Sequence, residues 1–551
     1  MARKKQLTER HPDAWRGLLV AIAVVVTARW ALAVEPPTQP SSLPTTVERY
    51  GVFEVALTTT ETFGNPFTDA RASAEFTSPG GRNIDVPGFF YGGDRWMVRF
   101  VPDELGEWSY TARLVDNETI SAAGRFRCTS GNRHGFLRIS RINPYRFQRD
   151  DGTPFYPIGV QTGGYFRMGL DTTGLGQTWE SVSPDEWCEA FAGAVNLLRW
   201  QLDRGELQLI RPDSPLDRYD TELAARMDDL FRLQKRYGFC HIVNLFEDMS
   251  LWGNAKRVFG HIRDLEQYKS LQAANLPQQE AYLRYVVARF GCFVDIWELF
   301  NEDSFAPNDY LAHLSEVVRD ADPYDHIITT NYARPDQDWC EIVTWHEYMG
   351  MPANQVDVYV AEQIGKFKSY GKLVQNTEFG NQGWLSSYDP VKWRIAVWTA
   401  FMNESGMLFW YSAVKSRGRR PYRGNANAYL GPESRQYFRV LNEFTRDLPV
   451  DMRPVACSYR DQTEVRACAL SNGQTSVVYL HHFADHSRPS APDRRNRMYV
   501  HTGPGSFRIT WIDPADGKVV RTDKVRAAQQ YLWVNVYPLT IDLACRIDRV
   551  E

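Results

Sequence analysis

What this chain lacks narrows its chemistry. Eight cysteines are scattered through 551 residues without a C-x-x-C pair, so neither a zinc ribbon nor a thioredoxin-like site is expected. His241, His261, His326 and His346 show no H-x-x-x-H or related ligand spacing, and no metal or other cofactor is expected. Acidic and basic residues nearly cancel, 67 against 63 for a net charge of −4. With no basic run outside the N-terminus, nothing points to nucleic acid. Long apolar runs are scarce too: Gly17 to Ala28 is short for a bilayer span and is followed at once by Arg29.

That run reads as part of an address. Arg3, Lys4, Lys5, Arg10 and Arg16 precede it and Ala31-Leu32-Ala33 offers a small-residue cleavage site, so residues 1–33 are expected to be a signal peptide. The mature protein is then secreted or periplasmic, without stable membrane insertion; the alternative is an uncleaved N-terminal anchor. Export permits disulfides, and Cys457 and Cys468, flanking the polar stretch Arg460 to Thr463, are the best candidate pair. Others, such as Cys240 in Phe-Cys-His-Ile-Val, read as small buried hydrophobes.

The length exceeds one hydrophobic core. Residues 34–46, rich in Pro, Ser and Thr, have the composition of a linker. From 47 to 130 the apolar period is two, with turns at Pro79-Gly-Gly and Gly92-Gly-Asp, which predicts a small immunoglobulin-like β-sandwich. From 131 to 450 strands alternate with helices, the pattern of parallel strands joined by crossovers. Eight strand candidates, Phe155–Gln161, Ala194–Trp200, Cys240–Phe246, Phe293–Phe300, Ile327–Asn331, Ile342–His346, Leu373–Thr377 and Met407–Tyr411, suit a (β/α)8 TIM barrel. Ser183-Pro184 and Pro277 are expected to open helices, whereas the stretch between Asn331 and Ile342 is too short for a full one. Residues 451–551 return to short strands and predict a second, C-terminal β-sandwich.

Two glutamates stand out within this frame. Glu302 follows the apolar run Asp295-Ile-Trp-Glu-Leu-Phe-Asn301, and Glu378 follows Leu373-Val-Gln-Asn-Thr377. Paired carboxylates are the usual means of breaking a glycosidic bond, one as acid and one as nucleophile or base. The ends of barrel strands are where such an enzyme places them. An isolated Asn-Glu after an apolar run carries little weight, because a strand-to-helix loop often holds a polar cap. The 17 Trp and 27 Tyr add aromatic faces suited to sugar rings, though such residues also fill cores.

Counting strands puts Asn301-Glu302 after the fourth and Glu378 after the seventh, and here the chain resembles the clan A superfamily of retaining glycoside hydrolases. The resemblance implies that Glu302 is the acid/base and Glu378 the nucleophile. It extends to Arg199 ending strand two, His346-Glu-Tyr348 ending strand six and Trp410 ending strand eight. Arg199, Asn301, His346, Tyr348, Trp384 and Trp410 are the implied substrate-binding residues. The segment Val86 to Trp108 is similar to the immunoglobulin-like domain of unknown function that precedes agarase-like bacterial barrels, and Thr510 to Gly517 resembles the β-domain that follows apiosidase-like ones.

Placement assigns roles. Arg199 and Tyr348 are expected to hold Glu378, Asn301 to bond a ring hydroxyl, and Trp410 and Trp384 to form stacking walls. The alternative reading of Arg199 is a tie between strand ends, and of His346 a satisfied core histidine. Glu347, by strand alternation, should point away. The implied partner is a poly- or oligosaccharide. A non-catalytic carbohydrate-binding protein and a transglycosidase are the rival readings.

Overall fold

The computed structural model describes residues 45–115, 120–161, 183–202, 207–211, 214–246, 265–304, 306–348, 350–381, 389–411, 432–460, 462–490 and 496–550. The expected signal peptide and Trp384 lie outside them, and no helix among the described residues is long and apolar enough to cross a membrane.

The N-terminal part is two packed sheets, one of five strands and one of three, antiparallel except where Thr46–Glu48 runs parallel to Ile120–Thr129. Strand alternation turns every second side chain inward, and large aromatics fill that face. Phe53 stacks on Phe126 at 4.0 Å and Phe76 on Phe100 at 4.1 Å, each pair joining one sheet to the other. The first strand starts at Thr46, so it takes up the last residue of the expected linker.

The centre is an eight-stranded parallel barrel built from Ile158–Gln161, Leu197–Gln201, Cys240–Phe246, Ile296–Phe300, Ile327–Thr329, Ile342–Glu347, Leu373–Asn381 and Gly406–Tyr411. The ladder runs unbroken from strand five through four, three, two, one, eight and seven to six. Between strands five and six the closure rests on scattered bonds, several of them through side chains, Ile328 N donating to Glu341 Oε2 at 2.7 Å among them. Glu341 N donates to Ile328 O at 2.9 Å, Thr329 Oγ1 to Ile342 O at 2.9 Å and Thr344 Oγ1 to Thr330 O at 2.8 Å. No helix joins these strands, as the short connection requires.

Several boundaries differ from expectation. Pro154–Phe155 leaves strand one and joins a small antiparallel sheet with Leu137–Ile139 and Phe147–Arg149. Leu137, Phe147 and Phe155 from that sheet cluster with Leu197, Ile242, Ile296, Ile342, Leu373 and Leu408 near the strand starts, sealing the N-terminal mouth of the barrel. Residues 131–155 are therefore a plug and not a βα unit. Buried Asp295 fastens it, accepting from Leu137 N at 3.2 Å, His241 N at 2.8 Å and Lys235 Nζ at 2.8 Å.

Pro277 does not open a helix but sits inside Leu265–Phe290. An interior proline costs about 3 kcal/mol, and the buried face of Tyr282, Leu283, Val286, Val287 and Phe290 outweighs it. Ser183 does open its helix, with a full capping box to Glu186.

The C-terminal part is a six-stranded and a three-stranded antiparallel sheet around Val478, Leu480, Ile509, Trp511, Leu532 and Ile547. The expected Cys457–Cys468 pair is not formed: both thiols are free. Cys457 is registered with Val500 in the smaller sheet and Cys468 with Tyr479 in the larger. The chain changes sheets between them, so they do not oppose each other across a hairpin.

Candidate active site

The site lies at the C-terminal ends of the barrel strands. Inward positions change chemistry along each strand: apolar at the plugged end, then buried Gln161, Arg199, Asn244, Glu298, Thr329 and Thr344, then Glu302, His346 and Glu378.

Arg199 is the hub of the middle layer and is fully buried. Its Nη1 donates to Glu378 Oε1 at 2.7 Å and Gln161 Oε1 at 3.1 Å, and Nη2 to Asn301 Oδ1 at 2.7 Å. Glu298 takes the other side of the guanidinium through both carboxylate oxygens and also accepts from Asn244 Nδ2 at 3.2 Å. A planar guanidinium shared by two carboxylates is rigid in position and in plane.

Glu378 owes its aim to an irregularity. On strand seven Leu373, Gln375 and Thr377 occupy alternate positions, and period two would turn Glu378 outward. A bulge intervenes: Trp345 pairs with Asn376 but His346 with Glu378, and the register toward strand eight shifts over the same residues. An extra residue of this kind re-aims the next side chain. Both Thr377 and Glu378 reach the site, Thr377 Oγ1 lying 3.0 Å from His346 Nε2. Gly380 follows at φ +142°, where a Cβ would sit 2.2 Å from Trp410 O; only glycine allows strand seven that close to strand eight.

Glu302 sits one residue past Asn301, with φ +49°. For a non-glycine residue this left-handed conformation costs about 1–3 kcal/mol. Flanking bonds hold it, Asn301 N to Phe246 O at 2.9 Å and Asp303 N to Asn331 O at 3.2 Å. Glu302 is the more open of the pair, its side chain 30% exposed against 4% for Glu378. His346 Nδ1 stands 2.7 Å from Glu302 Oε1 and 3.7 Å from Glu378 Oε2. The nearest ligating atoms of the three residues all lie within 4.8 Å of one another.

Tyr348 donates its hydroxyl to Glu378 Oε2. Burial first, then the charges of Glu378 and Glu302, push its phenol far above the ordinary range, so it remains a neutral donor. Trp410 packs beside it with ring centroids 5.3 Å apart. Glu347 points away and accepts from Tyr359.

Arg199, Asn301, Glu302, His346, Tyr348, Glu378 and Trp410 thus converge. Sequence reasoning missed Glu298, Gln161, Asn244 and Thr377. A charged residue at an inward position of the apolar run Ile296-Trp-Glu-Leu-Phe was the available signal for Glu298. Glu302, His346 and Glu378 could together ligate a cation, but one would have to displace bonds already made by Arg199, Tyr348 and Thr377. The cluster sets a buried carboxylate held by Arg199 and Tyr348 beside a more open one next to His346.

An eight-stranded parallel barrel with one carboxylate just past strand four and another within strand seven, flanked by antiparallel sheets, has the (β/α)8 fold. Comparison with known proteins gives it relatives. A model of a domain of unknown function (DUF5060) matches residues 46–114, within the N-terminal sheets, and no curated protein matches the chain. A candidate glycoside hydrolase from Bacteroides vulgatus ATCC 8482 superposes with a TM-score of 0.63 at 16% identity, over 92% of this chain and 100% of its own. A family 5 glycoside hydrolase from the same organism gives 0.53 at 12% identity, over 76% of this chain and 94% of its own. The chain shares the fold of these glycoside hydrolases.

Proposed function

We propose that this protein hydrolyses O-glycosidic bonds of a poly- or oligosaccharide by retaining double displacement, with Glu378 as nucleophile and Glu302 as acid/base. The observation that carries the reading is the approach of the two carboxylates, one oxygen of each lying within 4.8 Å of the other, toward the C-terminal ends of strands four and seven. Retaining enzymes hold their carboxyl groups about 5–5.5 Å apart, whereas inverting ones leave room for a water at about 6.5–9.5 Å.

The roles follow the contacts. Arg199 and Tyr348 donate to Glu378, spreading its charge and fixing its plane. Glu378 attacks the anomeric carbon while Glu302, closer to solvent, gives its proton to the departing oxygen. Water then attacks the glycosyl-enzyme, Glu302 takes its proton and Glu378 departs. His346, between the carboxylates, orients Glu302. Asn301 bonds the hydroxyl next to the anomeric carbon, and Trp410 with Trp384 walls the sugar. The reading includes export, to be checked by N-terminal sequencing of protein recovered outside the cell, which should begin at Val34.

Glu378→Ala is expected to lose nearly all turnover, and azide to restore part of it with inverted product stereochemistry, followed by NMR. Glu302→Ala should stall on poor leaving groups and be milder on activated aryl glycosides. Equal loss of Glu302→Ala activity on both substrate types would overturn its role as acid.

A further inference from the structure

The outer face of the smaller C-terminal sheet carries aromatic rings where a sandwich would ordinarily carry polar groups. Its strands are Cys457–Tyr459, Arg497–His501 and Tyr531–Asn535. Alternation buries Met498, Val500, Leu532 and Val534 and turns Tyr499, Tyr531 and Trp533 outward. Trp533 is 55% exposed and Tyr531 42%. The rings form one surface: Tyr499 is directly paired with Trp533, centroids 5.2 Å apart, and lies 5.5 Å from Tyr531. Beside them runs a trough of about 640 Å³ lined by Ser458, Arg460, Gln462, Arg497, Tyr499 and Trp533. Its polar groups are positioned, Gln462 Nε2 donating to Ser458 Oγ at 2.7 Å and Arg497 Nε to Asn535 Oδ1 at 3.0 Å.

We propose that this face is a non-catalytic binding platform for a polysaccharide bearing carboxylate or sulfate groups. Exposed apolar patches with polar rims mark interaction sites. Rings flanked by hydrogen-bonding side chains match a sugar, whose ring has an apolar C–H face and a polar edge. The charge follows from the lining, which among the described residues holds two guanidinium groups and no carboxylate; guanidinium recognises planar or tetrahedral anions by paired donors. The choice of a saccharide rests on the hydrolase reading, though the platform shares no residue with the proposed active site.

The test is affinity electrophoresis of the full chain in gels containing polygalacturonate, dextran sulfate or neutral galactomannan, the first two separating carboxylate from sulfate recognition. The wild type should be retarded by an acidic polymer. Trp533→Ala, and separately Arg460→Ala/Arg497→Ala, should weaken that binding roughly three- to tenfold, with thermal midpoint and aryl-glycoside turnover unchanged. No retardation, retardation unaltered by both variants, retardation by the neutral polymer alone, or a dimer that Trp533→Ala dissociates would each overturn the proposal. A wild type that cleaves no glycoside yet is retarded through Trp533 would remove the hydrolase reading and leave the platform standing.

Discussion

At the scale of single residues, the site is organised around charge shared in a dry place. Arg199 touches Gln161, Glu298, Asn301 and Glu378, and Tyr348 adds a second donor to Glu378. A hydrogen bond to a charged group is worth about 1.5–3 kcal/mol, or about ten- to a hundredfold in rate. Tyr348→Phe removes that bond with little change of shape, so kcat on a glycoside should fall by about that factor. A variant with unchanged kcat would show that the bond plays no part in the chemistry. Glu298→Gln keeps the shape but lets Arg199 turn; it should lower kcat more than it raises KM. Glu302 and Glu378 stood out in the sequence because each follows a short apolar run, and Arg199 through the family resemblance. Glu298, inside one, could be told from a misplaced polar residue only once its partner was seen.

At the scale of elements, strand three carries a pH-dependent contribution to stability. His241 is fully buried, with Nδ1 2.9 Å from Phe293 O. Burial first, then the nearby Lys235 charge, lowers its pKa to about 3. The unfolded chain binds a proton there near pH 6.5 and the folded one does not, so this stability is present above pH 6.5 and is lost as pH falls toward 3. The loss is about 1.4 kcal/mol per pH unit inside that window. Between pH 7 and 5, denaturant unfolding should lose about 2 kcal/mol from this residue, and His241→Gln should flatten that slope. An equal slope in both proteins would contradict the assignment. Periodicity gave the strands to within a few residues; the plug and the helix-interior Pro277 escaped it because local preference yields to packing.

At the scale of the whole molecule, buried ion pairs tie the flanking sheets to the barrel. On the N-terminal side Arg99 holds Asp228 at 2.7 and 2.8 Å, and Arg289 adds a third contact at 2.7 Å. On the C-terminal side Arg394 grips Asp542 twice at 2.9 Å, with Tyr479 donating to the same carboxylate. Removing one partner of a buried pair costs about 3–5 kcal/mol, while replacing both with apolar residues is often neutral. Arg394→Ala should therefore lower the thermal midpoint clearly, and Arg394→Met/Asp542→Leu should recover much of it. Deleting residues 34–130 would leave Asp228 and Arg289 without Arg99; the truncated chain should be less stable yet still turn over a small aryl glycoside. Loss of turnover in a folded truncation would mean that the N-terminal sheets contribute to the site.

The sequence by itself determined the order of parts and the two glutamates, because apolar period and strand-end position are written locally. Only the tertiary structure decided that Glu378 faces Glu302. That orientation depends on one extra residue in strand seven and on a glycine that lets the neighbouring strand approach. It also depends on an arginine that bonds to side chains from strands one, four and seven and from the loop after strand four. Side-chain direction inverts with each residue along a strand, so a one-residue bulge outweighs any reading of composition or spacing.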